Sequence, residues 1–169
     1  RCCGCIELLH HRRLAAMSRN RVHTISIYLI AGEPSGDVLG ATLMEGLRQV
    51  SRNDLEFHGI GGKEMASQGL ETLFPISDIA LMGISEILPH VPKILRRIAQ
   101  TVRDVKARRP DAVVTIDSPG FSLRVAKKLV GSGIPVVHYV APSVWAWKPW
   151  RARHMSAHLT KVLALLHFE

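Results

Sequence analysis

The chain has 169 residues, 47% of them hydrophobic and 21% charged, which is enough for one domain with a sizeable core. It contains no run of eighteen apolar residues, the length a membrane-spanning helix needs. A formal charge of +8 points to an anionic partner such as nucleic acid, phospholipid headgroups or a phosphorylated substrate; with 5% aromatics and no recognition-module motif, nucleic acid is not expected.

The three cysteines, Cys2, Cys3 and Cys5, crowd the first five residues beside His10 and His11. They lack the spacing of paired metal ligands on separate turns, so no metal site is expected. Residues 1–16 read as a disordered extension ahead of Met17. Their arginines with little acid also fit a targeting remnant, although Ser is absent and the apolar run is too short for a secretory signal. Residues 17–169 read as one α/β domain, and their lack of cysteine fits a reducing compartment.

Ile25–Ala31 is a buried-strand run that ends in Gly32-Glu33-Pro34-Ser35-Gly36-Asp37. In an open α/β sheet, ligands bind just beyond the carboxyl ends of strands. Gly32 and Gly36 allow backbone angles closed to other residues, Pro34 stiffens the turn, and Ser35 or Asp37 can cap the helix predicted over Val38–Val50. The turn is neither a Gly-x-Ser-x-Gly elbow nor a phosphate loop with its Lys-Ser/Thr. It reads equally well as a capped strand-to-helix turn. A second strand, Leu55–Ile60, runs into Gly61-Gly62 and a short helix holding Met65 and Ala66, and Leu70–Phe74 reads as a third strand. The glycines at 59, 61 and 62 do not form a dinucleotide fingerprint, because the acid expected some twenty positions on is Asp78, which follows no convincing strand.

Ile84, Ile87, Leu88, Val91, Ile94, Leu95, Ile98, Val102 and Val105 recur at helical spacing, with Pro89 and Pro92 predicted to fall in the first turn or to mark a break. This stripe has two readings. It is a core helix packed on the sheet, or Ile87, Leu88, Val91, Ile94 and Leu95 face lipid while Lys93, Arg96 and Arg97 meet anionic headgroups. Pro110–Ile116 then forms a buried strand ending at Asp117-Ser118-Pro119-Gly120, followed by a helix over Phe121–Val130. Ile134–Val140 is another strand, ending at Ala141-Pro142-Ser143-Val144-Trp145-Ala146-Trp147; a basic helix over Pro149–His158 leads to a last strand over Thr160–Leu166. Alternating strands and helices imply a Rossmann-like parallel sheet with helices on both faces. Three polar or aromatic turns then open on one edge of it.

Asp117 stands at the carboxyl end of a central strand, where partial desolvation suits a carboxylate to act as a base; a helix cap is its bland alternative. Glu33 and Asp37 are similar candidates. His138, inside an apolar strand, reads as a satisfied core histidine ahead of a base. Trp145 and Trp147 offer an apolar wall for a sugar or acyl group, or an anchor for a docked helix.

Taken together, Ala31-Gly32-Glu33-Pro34-Ser35-Gly36-Asp37, Met82-Gly83-Ile84-Ser85-Glu86, Ile116-Asp117-Ser118-Pro119-Gly120-Phe121 and His138 to Trp147 resemble, in order, the motifs of lipid-A-disaccharide synthase. The resemblance runs from about Ile25 to Glu169, departs from the family pattern at Gly120 and Ser122, and covers only the N-terminal half of that enzyme. It implies the acceptor-side domain of a two-domain GT-B glycosyltransferase, the C-terminal donor domain being absent from residues 17–169. The reaction implied is transfer of 2,3-diacylglucosamine from its UDP derivative to 2,3-diacylglucosamine 1-phosphate, with inversion and without metal or cofactor. Asp117 becomes the best base candidate. Gly32, Glu33, Ser35, Gly36, Asp37, Ser143, Trp145 and Trp147 become substrate-binding candidates. A cytoplasmic enzyme peripheral to the inner membrane face is expected, or an organellar one if the extension is a targeting remnant; a homodimer is compatible with the sequence. The rival expectation is a Rossmann-like nucleotide-binding module without chemistry.

Overall fold

The computed structural model describes residues 24–80, 84–139 and 158–163, with residues 84–90 described by backbone alone. Among these, six strands form one parallel sheet. In chain order the elements are β1 (Ile25–Ala31), α1 (Pro34–Val50), β2 (Leu55–Ile60), α2 (Lys63–Ser67), β3 (Glu71–Thr72), a 3₁₀ turn (Ile76–Asp78), α3 (Ile84–Arg108), β4 (Ala112–Ile116), α4 (Pro119–Leu129), β5 (Val136–Tyr139) and β6 (Lys161–Leu163). The spatial order is β3-β2-β1-β4-β5-β6, every neighbouring pair parallel. That is the Rossmann order, with helices on both faces.

The central strand shows why the sequence reads as continuously apolar. Tyr28 and Ile30 of β1 point into one core with Ile98, Val102 and Val105 of α3 and Phe121, Val125 and Leu129 of α4. Ile27, Leu29 and Ala31 point into the other, with Met44 of α1 and Met65 of α2. A strand covered on both faces needs apolar residues at every position rather than at alternate ones. Tyr28 is fully buried, so its hydroxyl needs a partner, and it donates to Asp104 Oδ2 at 2.9 Å.

Several boundaries differ from expectation for local physical reasons. α1 begins at Pro34, whose fixed φ suits the first helical position; Pro34-Ser35-Gly36-Asp37 is thus a helical turn. Neither Ser35 nor Asp37 caps it; Glu33 is the N-cap and makes no side-chain cap bond. α4 likewise begins at its proline, Pro119. β3 shrinks to two residues because Leu70 and Phe74 leave the ladder and insert into opposite cores. α3 runs unbroken for 25 residues through Pro89 and Pro92, which are neither confined to its first turn nor a break.

The stripe on α3 divides. Ile98 is buried, Ile94 packs against the core, Val91 is half-buried and Leu95 is 51% exposed. Ile94 is therefore covered by protein. The side chains of Ile87 and Leu88 lie outside the described residues. Of the three flanking cations, Lys93 pairs with Asp78 at 2.6 Å and Arg97 pairs with the same carboxylate while stacking over Phe74, leaving Arg96 exposed. The expected extension at 1–16, the loop from 141 to 147 and most of the basic helix from 149 to 158 also fall outside the described residues.

Candidate functional site

The order of strands reverses between β1 and β4: from β1 the chain steps outward to β2 and β3, and then α3 carries it back to β4 on the other side. At such a switch point the loops after the two strands diverge and leave a crevice at their carboxyl ends. The turns after β1 and β4, some 85 residues apart in sequence, meet there. Gly32 lies so close to Ser118 that a Cβ would overlap Ser118 Cβ and Oγ. A Cβ on Gly36 would rest 3.4 Å from the Ile116 carbonyl oxygen. Glycine at 32 is a packing requirement between two loops.

The β4 turn has an unusual backbone. Asp117 and Ser118 both adopt left-handed angles, φ 49° and 45°, at a cost of about 1 kcal/mol or more each for residues with a Cβ. Surrounding bonds hold the turn: the Asp117 N–H donates to the Tyr139 carbonyl at 3.3 Å, and the Ser122 hydroxyl donates to the Asp117 carbonyl at 3.1 Å. Asp117 is half-buried, and its carboxylate has no hydrogen-bond partner among the described residues.

The other site candidates separate. Glu33 and Ser35 are exposed at the N-terminus of α1, on the rim of the crevice, while Gly32 and Gly36 are buried beneath it. Asp37, expected to bind substrate, is buried and turned toward α2. Its Oδ1 accepts the N–H groups of Gly62 (2.7 Å) and Met65 (3.1 Å), and its Oδ2 accepts that of Glu64 (3.0 Å). Asp37 thus caps α2 by satisfying donors that a short helix cannot satisfy itself. The glycines before α2 serve the same junction, since a Cβ on Gly62 would strike the Asp37 carboxylate and one on Gly61 would crowd Met65 and Leu70. Ser143, Trp145 and Trp147 lie outside the described residues.

His138, read from sequence as a core histidine ahead of a base, is fully buried on β5 opposite Thr115 of β4, with Nδ1 2.7 Å from Thr115 Oγ1 and no partner for Nε2 among the described residues. Burial lowers its pKa and the nearby Asp117 charge raises it, the first effect prevailing, so the imidazole is held neutral. A cavity of about 570 Å³ lies elsewhere, on the amino edge of the sheet among Lys106, Arg109, Asp111 and Gly133. It faces away from the crevice.

A family model described as lipid-A-disaccharide synthetase matches residues 27–169. The chain belongs to this family. It is 54% identical over 145 residues to the lipid-A-disaccharide synthase of Rhodospirillum centenum, covering 85% of this chain and 36% of that one. It is 53% identical over 144 residues to that of Ruegeria pomeroyi, again covering 85% and 36%. The chain therefore spans about a third of the length of these relatives. Among solved structures it is similar to a UDP-N-acetylglucosamine 2-epimerase, with a TM-score of 0.56 at 13% identity over 84% of this chain and 42% of that one. The epimerase of Neisseria meningitidis bound to UDP-GlcNAc gives 0.50 at 14% identity over 84% and 40%. At such identities the likeness is one of fold. It matches the Rossmann-like sheet read from the alternation of strands and helices.

Proposed function

We propose that this chain is the acceptor-side domain of a GT-B enzyme that transfers 2,3-diacylglucosamine from its UDP derivative to the 6-hydroxyl of 2,3-diacylglucosamine 1-phosphate. The observation that carries this reading is the Asp117 carboxylate, without a partner among the described residues, at the switch point of a chain in the lipid-A-disaccharide synthetase family. Asp117 removes the acceptor hydroxyl proton as that oxygen attacks the anomeric carbon of the donor, and UDP departs from the opposite face with inversion. One carboxylate suffices for this route. Gly32 and Gly36 bring the α1 N-terminus against β4, and Glu33 and Ser35 on the rim meet the acceptor sugar. Ser143, Trp145 and Trp147, which follow β5 in sequence and lie outside the described residues, are read as further acceptor-binding residues from the family motif alone. Substrates with acyl chains are drawn from a bilayer, so the enzyme works peripherally at the inner, cytoplasmic membrane face. The exposed Leu95 and Arg96 of α3 suit contact with an anionic surface there.

The test is turnover in the full-length protein. Asp117→Asn lowers kcat by about 10²-fold or more, the range for loss of a general base, with folding retained. Wild-type turnover in that variant removes Asp117 from the mechanism and shifts attention to Glu33. The chain by itself, about a third of its relatives' length, releases no UDP from the diacylated donor in response to acceptor; acceptor-dependent release by this chain contradicts the division of the site between two domains.

A further inference from the structure

We propose that His138 is a positioning residue for the base: with acceptor bound, its Nε2–H donates to the Asp117 carboxylate, a bond the structure itself does not contain, and holds it toward the acceptor. The inference rests on the reading of Asp117 above. His138 lies on β5 opposite Thr115, two positions before Asp117, and the carbonyl of its neighbour Tyr139 holds the Asp117 N–H. A fully buried imidazole nitrogen and a half-buried carboxylate, each without a partner among the described residues, thus stand on adjacent strands beside one crevice. An unsatisfied buried nitrogen is costly, so folded proteins seldom retain one without a use for it.

Thr115 is the partner through which the tautomer of His138 is set. Its hydroxyl has one hydrogen and two neighbours: His138 Nδ1 at 2.7 Å and the Val137 carbonyl at 3.3 Å. A protonated Nδ1 donating to the hydroxyl satisfies both contacts; the positioning role requires the other tautomer, in which the hydroxyl donates to Nδ1 and the proton of the neutral ring sits on Nε2. Burial keeps the ring neutral, so it donates one hydrogen bond without adding a full positive charge beside the base. The chain Thr115–His138–Asp117 then orients the base in the way that a third group orients the base of a nucleophile pair.

The experiment measures kcat, and KM for 2,3-diacylglucosamine 1-phosphate, in the full-length protein with paired variants. An Asn side chain reproduces the Nδ1 position of His and a Gln side chain the Nε2 position. His138→Asn is expected to lower kcat about tenfold, a fraction of what loss of the base itself costs, with KM within about twofold; His138→Gln recovers most of the turnover. Thr115→Val, which keeps the volume and removes the hydroxyl, lowers kcat in the same direction, and Thr115→Ser recovers turnover relative to it. Equal kcat in the Asn and Gln variants overturns the proposal. So does a loss confined to melting temperature, with kcat intact in Thr115→Val, as a purely structural histidine would give. Asp117→Asn is run alongside. If it keeps full turnover, the base reading fails and the positioning role with it; if it loses turnover while the His138 pair is unaffected, only the positioning role fails.

Discussion

Asp37→Ala tests whether the first-strand motif serves the fold or the substrate. The substitution removes three acceptor contacts at the start of α2. The Met65 N–H is buried, and leaving it unsatisfied costs about 1–3 kcal/mol; those of Gly62 and Glu64 are part-buried, so water replaces the carboxylate at about 1 kcal/mol each. A loss of about 3–5 kcal/mol in total is a large share of the roughly 5–15 kcal/mol that stabilises a domain. It should move the urea midpoint down by about 1.5–2.5 M at a typical slope of about 2 kcal/mol/M. Asp37→Asn keeps one oxygen for Gly62 and Met65 but turns an NH₂ toward the Glu64 N–H, so about a third of the loss is expected. Urea unfolding followed by circular dichroism measures both, and hydrogen exchange at the three amides locates the change. A loss under about 0.5 kcal/mol for the alanine variant, with wild-type exchange at those amides, refutes the cap. A change in KM for either sugar substrate without a change in stability would return Asp37 to the binding residues.

Two further outcomes follow from the geometry. Gly32→Ala places a methyl group inside Ser118 and should cost about 1–3 kcal/mol through displacement of the two turns; melting temperatures should show most of this recovered by Ser118→Gly, which removes the obstructing side chain and relieves a left-handed residue, and no recovery would mean that the turns do not meet. The hydrogen bond from Lys93, with the contacts of Arg97, holds the Asp78 carboxyl below its usual range. A group with a depressed native pKa stabilises the fold above its unfolded pKa, and the contribution is lost as pH falls through the native value. Wild type should therefore melt above Asp78→Asn at pH 6, with the gap closing below about pH 4, where a free Asp titrates; a gap independent of pH would refute the pairing.

Local pattern was enough wherever the structure is locally determined. β1 and β2 have the bounds their apolar runs imply, since burial on both faces writes itself into consecutive residues. Prolines at 34 and 119 also mark helix starts, although reading them as turn residues placed α1 and α4 too late. Contacts between distant residues left no such trace. Nothing near Asp37 announces that it reaches α2, some 25 residues away, and nothing near His138 announces that its hydrogen-bond partner is Thr115 on the next strand. Two of the lipid-A-disaccharide synthase motifs, Gly32–Asp37 and Asp117–Phe121, fall on the two turns that meet at the switch point, because family patterns preserve the outcome of long-range packing. They do not say which member of a motif faces the substrate and which supports a neighbouring helix.

The position of β1 in the middle of the sheet also sets an order of events during synthesis. β1 is made first, yet one of its two edges stays unpaired until β4 has been made; the contact of Ser26 with Asp111, for example, closes a loop of 85 residues. Until then a seven-residue apolar strand has an open edge, the kind of surface that recruits other chains. Pairing at such separation is intrinsically slow. For a nascent chain, β1 is therefore an open, aggregation-prone edge until roughly Ile116 has cleared the ribosome, and chaperone dependence should concentrate in that interval.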